Sequence, residues 1–255
     1  MEMTEFSFKH YILRHLYDSQ QWHLPFLPSI HLPYPLSSHA LMVCLGSLLL
    51  IVFFCLLYRK KERVPRGLSN VIESMVEFIR DQISIACLGR EEGLKMTPFF
   101  CTLFFFILFL NFLGLIPLFA SATANFNVTG ALALVIFSIM IFGAIYKNGL
   151  FNFLKSFFPP GFPWPAKIFI GLLEFLSVFI KTFALMIRLF ANMLGGHLTI
   201  TVLIGLVAFL GYIALPVIVI ALFIYLLEVL IAFIQAYVFT LLSAIFIAQI
   251  HHPEH

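Results

Sequence analysis

Charge is scarce in this sequence: only 11% of its 255 residues are Asp, Glu, Lys or Arg, less than half of the roughly 25% usual in soluble domains. Hydrophobic residues make up 62%, and the mean hydropathy is +1.03. A water-facing surface cannot be assembled from so little polar material, so the composition predicts a polytopic membrane protein, better measured in spans than in globular domains. Cysteine is sparse too. Cys44, Cys55, Cys87 and Cys101 show no metal-ligand spacing and read as small hydrophobes, which argues against a metal site. No Walker-type glycine loop occurs, so no nucleotide or other cofactor site is expected. A cleavable leader pattern is missing, since roughly forty mixed residues precede the first apolar run. The net charge of +3 does not point to nucleic acid, because the basic residues cluster in loops beside apolar runs.

The chain reads as an outer-side segment, residues 1–38, followed by a single membrane domain, residues 39–255. The segment holds His10, His15, His23, His31 and a proline-rich run from Leu24 to Pro35. Those histidine spacings fit no common metal site, and the prolines predict extended chain at the membrane surface. Residues 39–58 form the first expected span and end in Arg59, Lys60, Lys61, Glu62, Arg63 and Arg66. Basic residues beside a span stay on the cytoplasmic side, which sets the N-terminus outside and the C-terminus in the cytoplasm. In 69–88, Val71, Met75, Phe78 and Ile79 alternate with Glu73, Glu77, Arg80 and Asp81 at helical spacing, the mark of an amphipathic helix on the cytoplasmic surface. Spans are expected at 97–120 and 128–146. Eleven of the fifteen Lys and Arg lie in 59–96 and 147–167, consistent with that topology. The stretches 166–210 and 217–250 are too long to cross the membrane upright. A helix over 166–210 would reach over roughly 60 Å, so it must tilt steeply or break, with Gly195 and Gly196 as its weak points. The fold class is therefore all-α and polytopic: about five membrane helices plus one amphipathic surface helix, the last two forming a long tilted hairpin about Gly211–Pro216. The HHPEH end reads as a solvated tail.

Polar residues concentrate in EFLSVFIKTFALMIRLFANMLGGH, Glu174 to His197. Glu174, Lys181 and Arg188 recur every seven residues, and at about 100° per residue seven steps return to within roughly 20°, so one helical face bears all three. Asn192 lies four residues on, nearly on the same stripe. An arginine at the bilayer centre costs roughly 2.5–3.5 kcal/mol on insertion scales, and one kept in line with other polar groups points to use. Folding the last two helices back on each other brings Arg188 level with Gln235 and His197 level with Glu228. Glu228 and Gln235 share a face of their own helix. Glu174 stands towards the cytoplasm, and His197 and Glu228 towards the outside. This predicts a proton path in two halves separated by a cation that cannot relay protons. His197, nine residues from Arg188, lies about 180° round an ideal helix, so it is expected to line an inlet behind the arginine face, helped by distortion at Gly195 and Gly196. For Asn111, Ser177, Thr199, Thr201, Thr240 and Ser243, helix–helix hydrogen bonding is the plainer account. Lys181, Gln235 and Asn192 admit that account beside the functional one, Lys181 through snorkelling or pairing.

These residues resemble a known family, subunit a of the F-type ATP synthase, the stator half of its membrane motor. The likeness is carried by RLFANMLGGH (Arg188 to His197), EVLIAFIQAYVF (Glu228 to Phe239) and NFLGLIP (Asn111 to Pro117). It implies that Arg188 is the stator arginine and that Asn192, Gln235, Lys181 and Glu174 fall on family polar positions. Many bacterial members carry a carboxylate where this chain has His197 and a histidine where it has Glu228; the swapped order resembles mitochondrial members. The implied mechanism brings protons in past His197 and Glu228 to a carboxylate on a ring of c subunits and releases them near Glu174. The implied partners are the c-subunit ring, the peripheral-stalk b subunits, the remaining ATP synthase complex and the lipid bilayer. The chain would have no catalytic site of its own. A bacterial inner membrane is the expected location, with an organelle inner membrane as the alternative. The rival function is a self-contained ion-coupled secondary transporter or channel. Such folds show internal repeats with broken helices, and no second copy of the 174–197 pattern is present.

Overall fold

The computed structural model describes residues 21–22, 30–31, 37–58, 67–116, 121–157, 163–210 and 215–251. Most of the histidine- and proline-rich segment, the basic run 59–66, the turn at 211–214 and the HHPEH end from residue 252 lie outside the described residues. Strands β1 (Gln21–Trp22) and β2 (Ile30–His31) form a two-residue antiparallel ladder. Everything else of regular structure is helical, so the all-α class holds among the described residues. Five helices are long and apolar enough to cross a membrane.

Helix α1 is Ser38–Tyr58. Ser37 caps it, its hydroxyl accepting the Ala40 N–H at 3.3 Å and its carbonyl the Leu41 N–H at 3.0 Å, so orphan donors of the first turn are satisfied. The amphipathic helix α2, Leu68–Phe78, runs into a π-helical segment, Ile79–Ile85, and the short α3, Ala86–Leu88. Its apolar side buries Ile79 and Ile83, while an exposed Arg80–Asp81 ion pair (2.7 Å) faces away. The chain reverses at Gly89 and returns as α4, Arg90–Leu115. The two arms touch at Gly93. A Cβ there would stand 2.7 Å from Ile85 Cα and 2.8 Å from the Ser84 carbonyl oxygen, so the close approach requires glycine. The Ser84 and Thr97 hydroxyls both donate to the Gly93 carbonyl, at 2.5 and 2.7 Å.

Helix α4 begins at Arg90, whereas the sequence places the span's start at Thr97. Glu91 and Glu92 in the first turn complement the helix dipole, and Pro98 is accommodated inside the helix. Helix α5, Phe126–Asn148, is capped by Asn125, whose Oδ1 accepts the Asn127 N–H at 2.8 Å. Helix α6, Leu150–Ser156, sits in a stretch the sequence reads as loop. Its Phe153 and the following Phe157 are buried, with ring centroids 5.1 Å apart. Two long helices complete the chain: α7, Trp164–Leu210, of 47 residues, and α8, Leu215–His251, of 37. Helix α7 does not break, and it continues through Gly195 and Gly196.

The described residues form two compact units. The first gathers α1, Phe104 to Thr129, the part of α7 from Leu189 and the part of α8 up to Tyr237. Met42, Leu110 and Ala122 make one apolar cluster in it, and Leu115, Ile200 and Ala232 another. Phenylalanine pairs such as Phe53–Phe109 and Phe104–Phe233 meet edge to face, the arrangement the ring quadrupoles favour. The second unit gathers α2, α3, α4 up to Leu103, Gly130 to Arg188 and α8 from Val238. There an ion pair joins Lys147 at the end of α5 to Glu92 at the start of α4. The rings of Phe157, Phe175 and Phe179 run along its α7 segment.

Candidate functional site

Because α7 is continuous, Glu174, Lys181 and Arg188 share one stripe of it. All three belong to the second unit. Arg188 is exposed, and no hydrogen bond or ion pair to its guanidinium is found among the described residues. It is flanked by apolar side chains that are themselves exposed, Phe183 and Ile187 among them. Glu174 is half-buried. Lys181 is half-buried, and its ammonium donates to Gln249 Oε1 at 2.9 Å and lies 5.8 Å from the centre of the Phe246 ring. The sequence reading left Gln249 out. The available signal was a polar residue in the last turns of α8, where a side chain from α7 could reach it.

The first unit holds Asn192, His197, Glu228 and Gln235. Glu228 folds its carboxylate directly onto the α7 backbone at Gly196: a Cβ built there would meet Glu228 Cδ at 2.7 Å and Oε1 at 3.0 Å. The carboxylate is thus level with the residue next to His197. The helix runs unbroken through Gly196, and the missing side chain there makes the seat. Gln235 is 6% exposed, and its Nε2 is buried without a partner. Asn192 Nδ2 is likewise buried and unpartnered. Buried amide donors are normally bonded to protein or ordered water, so both mark places suited to water.

One turn before Gln235, the α8 backbone is held from the side. Asn111, fully enclosed in α4, donates to the Ala232 carbonyl at 3.2 Å and accepts from the Thr123 hydroxyl at 3.0 Å. Thr123 is also fully enclosed. The structural account of Asn111 fits this geometry, while Thr123 was not singled out in the sequence.

Residues 40–248, a stretch that includes every one of these positions except Gln249, match the family model described as ATP synthase A chain. The chain belongs to this family. Among ATP synthase A chain relatives, the ATP synthase subunit a of Anaeromyxobacter dehalogenans (strain 2CP-C) is 44% identical over 225 residues, covering 86% of this chain and 59% of the relative. That of Myxococcus xanthus (strain DK1622) is 39% identical over 269 residues, covering 94% and 88%. That of Chloroherpeton thalassium (strain ATCC 35110 / GB-78) is 39% identical over 257 residues, covering 96% and 77%. The chain therefore spans about three-fifths of the Anaeromyxobacter relative's length. Five apolar helices and bacterial relatives fit a multi-pass bacterial membrane protein.

Proposed function

We propose that this chain is the proton-translocating stator subunit a of an F-type ATP synthase. It lies against a ring of c subunits and carries two offset half-channels, with Arg188 between them. Protons enter from the outer side past His197 and Glu228, with Gln235 and Asn192 lining the way, and reach a ring carboxylate. They leave to the cytoplasm near Glu174 once that carboxylate ionises beside Arg188. Lys181 supports the exit side. The N-terminus faces outwards and the C-terminus the cytoplasm, in a bacterial inner membrane, and the peripheral-stalk b subunits hold the assembly.

One observation carries the reading: Arg188 is exposed on a long apolar helix with no counter-charge among the described residues. A permanent cation in that setting calls for a carboxylate from a partner. Attraction to arginine lowers a carboxylate pKa by roughly 1–3 units, and each charge crossing 100 mV gains about 2.3 kcal/mol. At about 1.5 Å per residue, α7 is roughly 70 Å long, more than twice the hydrocarbon thickness of about 30 Å, so it lies strongly tilted along a curved ring. The seat of Glu228 at Gly196 and the unpartnered amides of Asn192 and Gln235 support a hydrated inlet.

The test is ATP-driven acidification of inverted vesicles carrying the assembled complex, wild-type or Arg188→Ala, with ATP hydrolysis and subunit composition checked in the same preparations. Lost acidification with assembly intact is the expected result. Undiminished coupled pumping by Arg188→Ala sinks the proposal.

A further inference from the structure

We infer that Lys181 is a positioning residue, a latch whose ammonium holds the last turns of α8 against α7 and fixes their register about two turns from Arg188. This rests on the stator reading for its functional consequence. An earlier residue of α7 meets a later one of α8, Gly196 against Glu228 in the first unit and Lys181 against Gln249 in the second, the order of contact of antiparallel helices. In each helix, side chains lean towards their own N-terminus. Lys181 therefore leans towards the open end of the pair and Gln249 towards the connected end, and the two converge. They meet with Nζ donating to Gln249 Oε1 at 2.9 Å. Phe246, three residues before Gln249 and on the same face of α8, presents its ring 5.8 Å from the ammonium.

The chemistry of the contact suits holding better than relaying. An amide oxygen and an aromatic face both stabilise an ammonium, yet neither exchanges a proton with it near neutral pH. Inside an apolar span a long cationic side chain has few other places to put its head group, so its two contacts on α8 set where that helix rests. Gln249 lies beyond the stretch matched by the family model, which ends at residue 248.

The assembled complex is examined by two readouts: hydrogen exchange of the α8 amides over 246–250, and ATP-driven acidification. Lys181→Met and Gln249→Leu each remove the hydrogen bond. Each is expected to speed exchange of that segment about three- to eighteenfold, the range set by interhelical bonds in membranes, and to lower acidification. The double variant Lys181→Gln with Gln249→Lys reverses donor and acceptor and restores both readouts. Should Lys181→Met fail to assemble, the neutral change Gln249→Leu carries the same comparison. The latch is overturned if either single variant depresses acidification while exchange stays at the wild-type rate. It is equally overturned if the swapped pair leaves exchange fast. If exchange behaves as expected but Arg188→Ala still pumps, the latch stands and the stator reading falls.

Discussion

Asn111 and Arg188 both interrupt long apolar helices, but the protein accommodates them in opposite ways. Asn111 is fully enclosed and bonded on both sides, to the Ala232 carbonyl and the Thr123 hydroxyl. Arg188 is exposed, with no partner among the described residues. A polar group in an apolar setting must find its hydrogen bonds somewhere. Where they are supplied within the chain, the residue contributes to stability; where they are not, its proposed partner lies outside the chain. The two positions should therefore show opposite signatures when removed.

The largest effect is expected at Arg188. If its attraction holds a rotor carboxylate down by roughly 1–3 units, losing it changes the ionisation equilibrium about 10- to 1000-fold. Arg188→Ala should abolish measurable acidification, yet shift unfolding stability by no more than about 0.5 kcal/mol, as at other exposed sites without structural contacts. Thermal unfolding of the detergent-solubilised complex measures the second quantity. A loss of several kcal/mol would erase the distinction drawn between the two residues.

Two glycines carry the same comparison into backbone contacts. A Cβ at Gly196 meets the end of a flexible side chain, the Glu228 carboxylate, whereas one at Gly93 meets backbone at Ile85 and Ser84. Gly196→Ala should displace the carboxylate at little cost in stability, and a misplacement of about 1 Å can reduce rate up to about 100-fold. Gly93→Ala cannot be relieved by a side-chain turn. It should cost about 1–3 kcal/mol in unfolding stability, as overpacking does, with pumping per assembled complex nearly unchanged. Acidification normalised to assembled complex separates the two outcomes; a stability loss confined to Gly196→Ala would reverse the assignment.

Asn111→Leu comes next. It removes both bonds of an enclosed amide, and interhelical hydrogen bonds in membranes contribute about 0.6 to 1.7 kcal/mol. A fall in unfolding stability of that size is expected, with normalised acidification reduced far less than by Gly196→Ala. Loss of pumping without loss of stability would move Asn111 from the structural region to the functional one.

Much of this was legible before any coordinates. Long apolar runs broken by polar turns identified five spans, and the seven-residue recurrence of Glu174, Lys181 and Arg188 put them on one stripe because α7 is one helix. Local pattern served less well where tertiary contact decides. The apolar run places the span's start at Thr97, but Glu91, Glu92 and the packing at Gly93 carry α4 back to Arg90. Leu150–Ser156 lies among loop signals and is helical, with Phe153 buried. Gly195 and Gly196 are weak points because helix propensity is low there, yet α7 runs through them unbroken, and at Gly196 the absent side chain admits Glu228. Gln249 was overlooked because its importance lies in a contact from 68 residues away.

The smallest effect should come from an exposed ion pair whose bonds water can replace. Asp81 is exposed beside Arg80, whose hydrogen bond and charge hold the Asp81 carboxyl below its ordinary range. A folded-state pKa below the unfolded value of about 3.9 adds stability that is present above that value and lost as pH falls through the folded one. The difference in melting temperature between wild-type and Asp81→Asn should therefore be small and constant from about pH 7 to about pH 5. It should shrink only below about pH 4, and largely vanish in about 1 M salt, where the Debye length is about 3 Å. Because the pair is exposed, its effect should fall below that of Asn111→Leu, which removes bonds that water cannot replace. A salt-resistant difference as large as that of Asn111→Leu would mean that enclosure is not what separates stabilising polar contacts from the rest in this chain.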